Sequence, residues 1–322
     1  NLSVITQPVR KELELFQVAF KQVLRGHNPD FQSILDYIAE TGGKRVRPII
    51  LLLSAKLCGT INQKTIDYAV VLELLHTATL IHDDVVDTTL ERRSRPSLNA
   101  RVDNRAAVLA GDYILSLAIV NGIRTNNRKV LHILGNLAQS LVDGELTQLV
   151  SVNTISLDEN RYFEVIRKKT ATLISACTEL GAISVDTQHE QIETLREIGE
   201  NIGICFQIRD DIFDYFEQGQ IGKPTGNDIR EGKITLPLLH ALQNAPKEIS
   251  GKMIHFIEKQ ELDAENIHQL IDFAKTYHGI DYAVSIMQSF KEKTIALLDR
   301  FPESEAKTAM LRLMDYIIER KS

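Results

Sequence analysis

Residues 80–93 read LIHDDVVDTTLERR. Three aspartates, Asp83, Asp84 and Asp87, stand at i, i+1 and i+4 behind the apolar run AVVLELLHTATLI (residues 69–81). That run has helical periodicity, so the acids fall at a helix C-terminus, where the macrodipole disfavours anions. A cation supplied from outside the helix is expected there.

The same periodicity runs through the whole chain. Apolar residues recur at i, i+3 and i+4, and two-residue alternation is nearly absent. Helices are expected near 8–25, 30–41, 45–58, 62–88, 101–123, 127–150, 158–182, 189–218, 232–243, 248–259, 263–277 and 279–321, the last one broken. Segments such as RGHNPD, TGGKRVRP, CGTINQ and GQIGKPTGNDIREGK carry the turn chemistry between them. No repeat, low-complexity stretch or Pro/Gly-rich linker divides the sequence. The expectation is an all-α single domain over 1–322, with about a dozen helices.

Hydrophobic residues form 43% and charged residues 25% of the 322 positions, enough for a large core. A net charge of −6 argues against a nucleic-acid partner, which calls for a basic excess. Cys58, Cys177 and Cys205 include no CxxC pair and suggest buried free thiols in a reducing compartment. No apolar run reaches membrane-spanning length, and NLSVITQPVRKELELF lacks the charged-then-apolar order of a signal peptide. A cytoplasmic chain is the expectation.

A second acidic cluster, FQIRDDIFDYF (206–216), repeats the spacing with Asp210, Asp211 and Asp214. On a helix these positions lie within roughly 100° of arc, so three carboxylates can converge. Oxygen-only donors suit hard cations, and Mg2+ commonly bridges carboxylates to substrate phosphates. One such cluster is ordinarily a solvated helix end. Two copies, each followed by a basic loop, point to six acids facing one cavity, where only divalent cations keep them all ionised.

Basic residues follow the acids: Arg92 and Arg93 after the first cluster, Lys223 and Lys233 after the second. GGKRVRP (42–48) places Lys44 and Arg47 at i, i+3 after a double glycine, on the expected first turn of the next helix, a good anion site. RKKTATL (167–173) adds Lys168, Lys169 and Thr170. Taken together, the cations suit two diphosphate groups.

These residues resemble the trans-isoprenyl diphosphate synthases, in particular the long-chain polyprenyl, octaprenyl-type members. The resemblance is carried in order by GGKRVRP, LLHTATLIHDDVVDTTLERR, AVLAGDYIL, VDGELTQL, KKTATL, CFQIRDDIFDYF and GKPTGNDIREGKITLP. The last hundred residues or so show only helical periodicity. The resemblance implies a bundle around a deep central cavity and a metal-dependent head-to-tail condensation. It implies that Asp83, Asp84, Asp87, Asp210, Asp211 and Asp214 hold an allylic diphosphate through three Mg2+ ions, or Mn2+ in their place. Arg92, Lys169, Lys223 and Lys233 would balance the remaining phosphate charge. Isopentenyl diphosphate would lie on Gly43, Lys44, Arg47, His76 and Arg93, with Thr170 and Gln207 near the reacting carbons. His82 reads as a packing residue. A homodimer is implied, with the helix near 101–123 as a contact, along with transient membrane contact during release of a greasy product. The C-terminal ERKS (319–322) is a further candidate diphosphate contact.

The resemblance also implies that product length is set on the helix of the first acids, by small Ala78 and Thr79, five and four residues before Asp83, with Leu75 and Leu72 beneath. Leu134, Leu137, Leu141 and Val142 are candidate walls or floor of the product channel. Steps of three residues rise roughly 4.5 Å, close to one isoprene unit. An open level at Ala78 favours octaprenyl over farnesyl or geranylgeranyl products. A short-chain synthase, a terpene cyclase and a non-catalytic subunit of a heteromeric synthase are the alternatives.

Overall fold

The computed structural model describes residues 2–25, 29–41, 43–92, 95–151, 156–216 and 225–319. Their elements begin with α1 (Leu2–Ile5), a 3₁₀ turn at Gln7–Val9, α2 (Arg10–Val23), α3 (Pro29–Glu40), α4 (Val46–Cys58) and α5 (Gln63–Val86). A two-stranded hairpin follows, β1 (Glu91–Arg92) and β2 (Arg95–Pro96), then α6 (Leu98–Arg101), α7 (Asn104–Arg124), α8 (Arg128–Ser151) and α9 (Glu159–Ile166). A π-helical turn at Arg167–Ala171 leads into α10 (Thr172–Ser184) and α11 (His189–Phe213). The chain closes with α12 (Asn227–Arg230), α13 (Leu236–Asn244), α14 (Lys247–Glu258), α15 (Ala264–Thr276), α16 (Gly279–Leu298) and α17 (Glu305–Glu319).

The chain forms two compact units, each drawn from several segments. One comprises residues 1–138, 176–196 and 302–310; the other comprises 139–175, 197–301 and 311–322. In the first unit α4 and α5 are apolar around most of their circumference, which makes them interior helices. Ile49 to Leu53 are buried without a break, and α5 is buried from Val70 to His76. Helices α2, α4 and α7 pack around α5. Asn62 caps α5 through Lys64 N, with Thr65 closing a capping box. In the second unit α12 to α15 gather Ile229, Leu238, Leu242, Phe256, Leu270 and Phe273 into a core that also takes in Tyr215.

Helix α7 departs from one expectation. Its sequence is interrupted by a single acid, Asp112, and the helix is long and apolar enough to cross a membrane, with mean hydropathy 1.7 over an 18-residue stretch of which a third is buried. Leu109, Ile119, Val120 and Ile123 on it are exposed. Elsewhere the final stretch breaks between Leu298 and Glu305, as expected, and the loop after the first acids contains the β1–β2 pairing that periodicity did not show.

Candidate active site

In the first unit α5 ends at Val86, so Asp83 and Asp84 occupy its last turn and Asp87 its C-cap. The expected cation is intramolecular. The hairpin turns Arg92 back onto Asp84, with Nε 2.8 Å from Oδ1 and 3.0 Å from Oδ2, and Nη2 2.6 Å from Oδ1. Asp84 is buried, while Asp83 is half-buried and Asp87 exposed. Asn99 donates to the backbone carbonyls of Asp84 and Thr89 at 3.3 and 3.1 Å, and the Ser97 hydroxyl donates to Thr89 O at 2.6 Å. Those bonds tie the chain after the acids to the end of α5.

The GGKRVRP segment differs from expectation. Helix α4 begins at Val46, so Lys44 precedes it and is exposed, while Arg47 lies on the first turn and is half-buried. Between them Arg45 takes the left-handed conformation (φ 51°). Its guanidinium pairs with buried Glu73 at 2.5 Å and lies over the Phe20 ring at 4.7 Å. A residue held left-handed interrupts helical continuation, which is why Lys44 and Arg47 do not share one turn. Gly43 is half-buried and His76, on α5, is buried. Arg93, Lys223 and residues 320–322 of the C-terminal ERKS lie outside the described residues.

Of the length-setting candidates, Leu72, Leu75 and Ala78 are fully buried in α5. Thr79 is half-buried and donates its hydroxyl to His76 O at 2.8 Å. Leu137 and Leu141 are buried, Leu134 is half-buried and Val142 is 58% exposed. His82 is a packing residue: its Nε2 sits 3.2 Å from Val108 O and 3.3 Å from Asp112 Oδ1.

In the second unit the acids are not all on one helix. Helix α11 ends at Phe213, five residues earlier than its periodicity suggested, and Asp214 lies beyond it. Asp214 instead caps α12: Oδ1 accepts from Asn227 N at 2.8 Å, Oδ2 from Asp228 N at 3.0 Å, and its carbonyl from Gly226 N at 2.8 Å. Burial, partly offset by those donors, raises the Asp214 pKa.

Asp211 is 3% exposed and accepts from Tyr162 Oη at 2.6 Å on Oδ2 and from Gln207 Nε2 at 2.8 Å on Oδ1. Thr170 donates to Gln207 Oε1 at 2.7 Å. These side chains line a cavity of about 180 Å³ together with Gln148, Lys169, Asp228 and Lys233. Burial, then the negative charge of Asp228 and Asp210, pushes the Asp211 carboxyl well above the usual range. Burial likewise raises Asp228, against the pull of Lys233 at 3.8 Å. Lys233 also pairs with Glu231 at 2.6 Å, and Lys169 with Glu145 at 2.6 Å.

Lys169 and Thr170 belong to the π turn, a form that recurs at functional sites. Two glycines admit it. A Cβ on Gly144 would meet Lys169 N at 3.0 Å, and one on Gly203 would meet Ala171 Cα at 2.5 Å. Helix α9, just upstream, is fixed at its start. Asp158 caps it through Asn160 N, and Tyr282 on α16 donates to both Glu159 oxygens at 2.9 Å. His240 stacks on the Tyr282 ring at 4.0 Å.

Sequence reading missed Tyr162, Asp228, Gln148 and Glu73. Asp228 stood inside the quoted GNDIREGK, where its acidity was the available signal. Among the described residues no group of three or more His, Cys, Asp or Glu side chains stands ready to hold a metal ion. The donor chemistry nevertheless fits a hard cation. Asp210, Asp211 and Asp228 are oxygen donors whose mutual repulsion a cation would relieve, and metal loading would compete with the internal donors on Asp84 and Asp214.

Comparison with known proteins identifies the family. The polyprenyl synthetase family profile matches residues 28–274. The octaprenyl diphosphate synthase of Haemophilus influenzae is 35% identical over 88% of this chain and 86% of its own. A geranylgeranyl pyrophosphate synthase structure from Bacteroides thetaiotaomicron is 40% identical, with a TM-score of 0.85 over 99% of both chains. A polyprenyl synthase from Caulobacter crescentus, complexed with calcium and isoprenyl diphosphate, is 29% identical with a TM-score of 0.91, covering 100% of this chain and 98% of that one. The chain therefore belongs to the polyprenyl synthetase family and is a prenyltransferase with the all-α isoprenoid synthase fold.

Proposed function

We propose that the chain is a long-chain all-trans polyprenyl diphosphate synthase that makes octaprenyl diphosphate by successive head-to-tail additions of isopentenyl diphosphate to an allylic diphosphate. The observation carrying this reading is the cavity in which Lys169, Thr170, Gln207, Asp211, Asp228 and Lys233 come together. The six acids Asp83, Asp84, Asp87, Asp210, Asp211 and Asp214 are the metal-holding set. Bound Mg2+ supplies Lewis acidity to the departing diphosphate. The relative from Caulobacter, with calcium and isoprenyl diphosphate, supports a divalent ion in that role.

Lys169 and Lys233 line the cavity and would balance phosphate charge, each now paired with a glutamate that a diphosphate would displace. Arg92 does the same beside Asp84. Lys44, Arg47 and His76 serve isopentenyl diphosphate. The allylic C–O bond breaks, the isopentenyl double bond supplies the electron pair for the new C–C bond, and released pyrophosphate takes the proton. No side-chain base is required. The exposed apolar face of α7 forms the contact of a homodimer.

Octaprenyl length rests on the absence of an aromatic ring at Ala78 and Thr79 and on the octaprenyl relative. A second reading, a geranylgeranyl product, is favoured by the 40% identity to the Bacteroides protein. Incubation with farnesyl and isopentenyl diphosphates and Mg2+, followed by chromatography, separates them. Eight-unit products support the long-chain reading, products stopping at four units overturn it, and no transfer at all overturns the prenyltransferase mechanism. EDTA should abolish turnover, and Mg2+ should restore it.

A further inference from the structure

We propose that Tyr162 is a positioning residue for the reaction: through Asp211 it fixes the amide of Gln207 and the hydroxyl of Thr170. This inference rests on the prenyltransferase reading and deepens it. Alongside its place among the six acids, Asp211 is then the internal hub of the site.

Four side chains form one directed hydrogen-bond chain. Tyr162 Oη donates to Asp211 Oδ2, Gln207 Nε2 donates to Oδ1, and Thr170 Oγ1 donates to Gln207 Oε1, at 2.6, 2.8 and 2.7 Å. Both Asp211 oxygens accept in this arrangement: the amide nitrogen of Gln207 faces Asp211 and its oxygen faces Thr170. The threonine proton is thereby committed, and its oxygen remains an acceptor at the cavity wall. Which way the amide points is consequently decided by Asp211, and Asp211 is held from its other side by Tyr162.

The residues come from three elements, α9, the π turn and α11, and Tyr162 and Asp211 lie 49 positions apart. Such a relay keeps its order only when each member is itself fixed. Tyr162 meets that condition. Its ring packs edge-on against Phe163 at 5.3 Å, and Phe163 lies 6.2 Å from Phe290. The helix bearing it is anchored three residues earlier by Glu159 on Tyr282. Without the phenol, Asp211 keeps a single donor and can turn, and the Gln207 amide loses its fixed sense.

The test compares wild type, Tyr162→Phe, Gln207→Leu and the double variant. Tyr162→Phe should lower kcat by roughly tenfold, the worth of a hydrogen bond, with the KM for isopentenyl diphosphate changed by less than about twofold. In the Gln207→Leu background the same substitution should add less than about twofold, because the two act in one chain. Multiplying effects, or a wild-type kcat in Tyr162→Phe, overturn the proposal. Should Tyr162→Phe fail to fold, Tyr162→Met, which also removes the hydroxyl while filling the space, replaces it in the cycle with the same expected pattern.

A readout independent of turnover separates this inference from the reading beneath it. In the metal-free protein, the side-chain amide protons of Gln207, assigned by ¹⁵N NMR with Gln207→Leu as reference, should be dispersed and slow to exchange. They should shift toward free-glutamine values in Tyr162→Phe. If the amide is unchanged by Tyr162→Phe, the relay is wrong even in an active enzyme. If the amide responds but wild type transfers no prenyl group, the prenyltransferase reading is what fails.

Discussion

Arg92 straddles Asp84, its Nε within 3.0 Å of both carboxylate oxygens, and thereby neutralises an acid that the α5 dipole disfavours. The two residues lie only eight positions apart, and the β1–β2 reversal brings them together. Removing the guanidinium leaves a buried acceptor pair without its donor. Arg92→Leu should therefore cost about 1–3 kcal/mol of stability, measured by urea unfolding, and lower turnover as well. Arg92→Lys should recover the charge but not the two-pronged geometry, and should fall between. Equal stability of all three proteins would show the pair to be incidental.

Ala78→Phe should shorten the product. The site is fully buried on α5, five residues before Asp83, with Leu75 and Leu72 following at three-residue steps. A ring there also overpacks the interior, at a cost of about 1–3 kcal/mol, so product analysis belongs well below the melting temperature. Early condensations should persist while longer products vanish. An unaltered product ladder would remove Ala78 from the measuring device.

The π turn depends on Gly203. Alanine there puts a Cβ 2.5 Å from Ala171 Cα, and the turn must shift away, carrying Lys169 and Thr170 with it. Misplacement of reacting groups by about 1 Å costs roughly a hundredfold in rate, and Gly203→Ala should show a loss of that size. Gly135 on α8 provides the control, since nothing lies within 4 Å of an added Cβ. Gly135→Ala should keep full activity and gain up to about 1 kcal/mol from helix propensity. A π turn tolerant of Gly203→Ala would refute the packing account.

The cysteines should be inert in the native protein. Burial pushes the Cys177 and Cys205 thiols up to about 12 and Cys58 up to about 11. Thiolate is the nucleophile, so alkylation near neutral pH should be slow at all three. Quantitative labelling by a chromogenic disulfide should appear only on unfolding. Rapid modification of the folded chain would contradict this packing.

The helices were legible because 3.6-residue periodicity is a local property, and α4, α5 and α11 have it over several turns. Their ends were less legible. Helix α11 stops at Phe213 because the carboxylate of Asp214 is drawn to the N–H groups of Asn227 and Asp228, partners more than ten residues ahead. Arg45 left the helix because Glu73 and Phe20 hold its guanidinium, again from other elements. The acids and lysines announced themselves by type and spacing. Tyr162 could not, since an aromatic at helical spacing looks like core until its hydroxyl is seen on Asp211.

The Tyr282–Glu159 bond has a consequence for how the chain tolerates change. The C-terminal third carries no recognisable signature, and a mutational scan would be expected to treat its helices as interchangeable apolar filler. One phenol there is nevertheless moored to the helix that lines the cavity, in a ring stack with His240. Intolerance at position 282 would therefore surface as lost turnover in a region with no apparent part in chemistry.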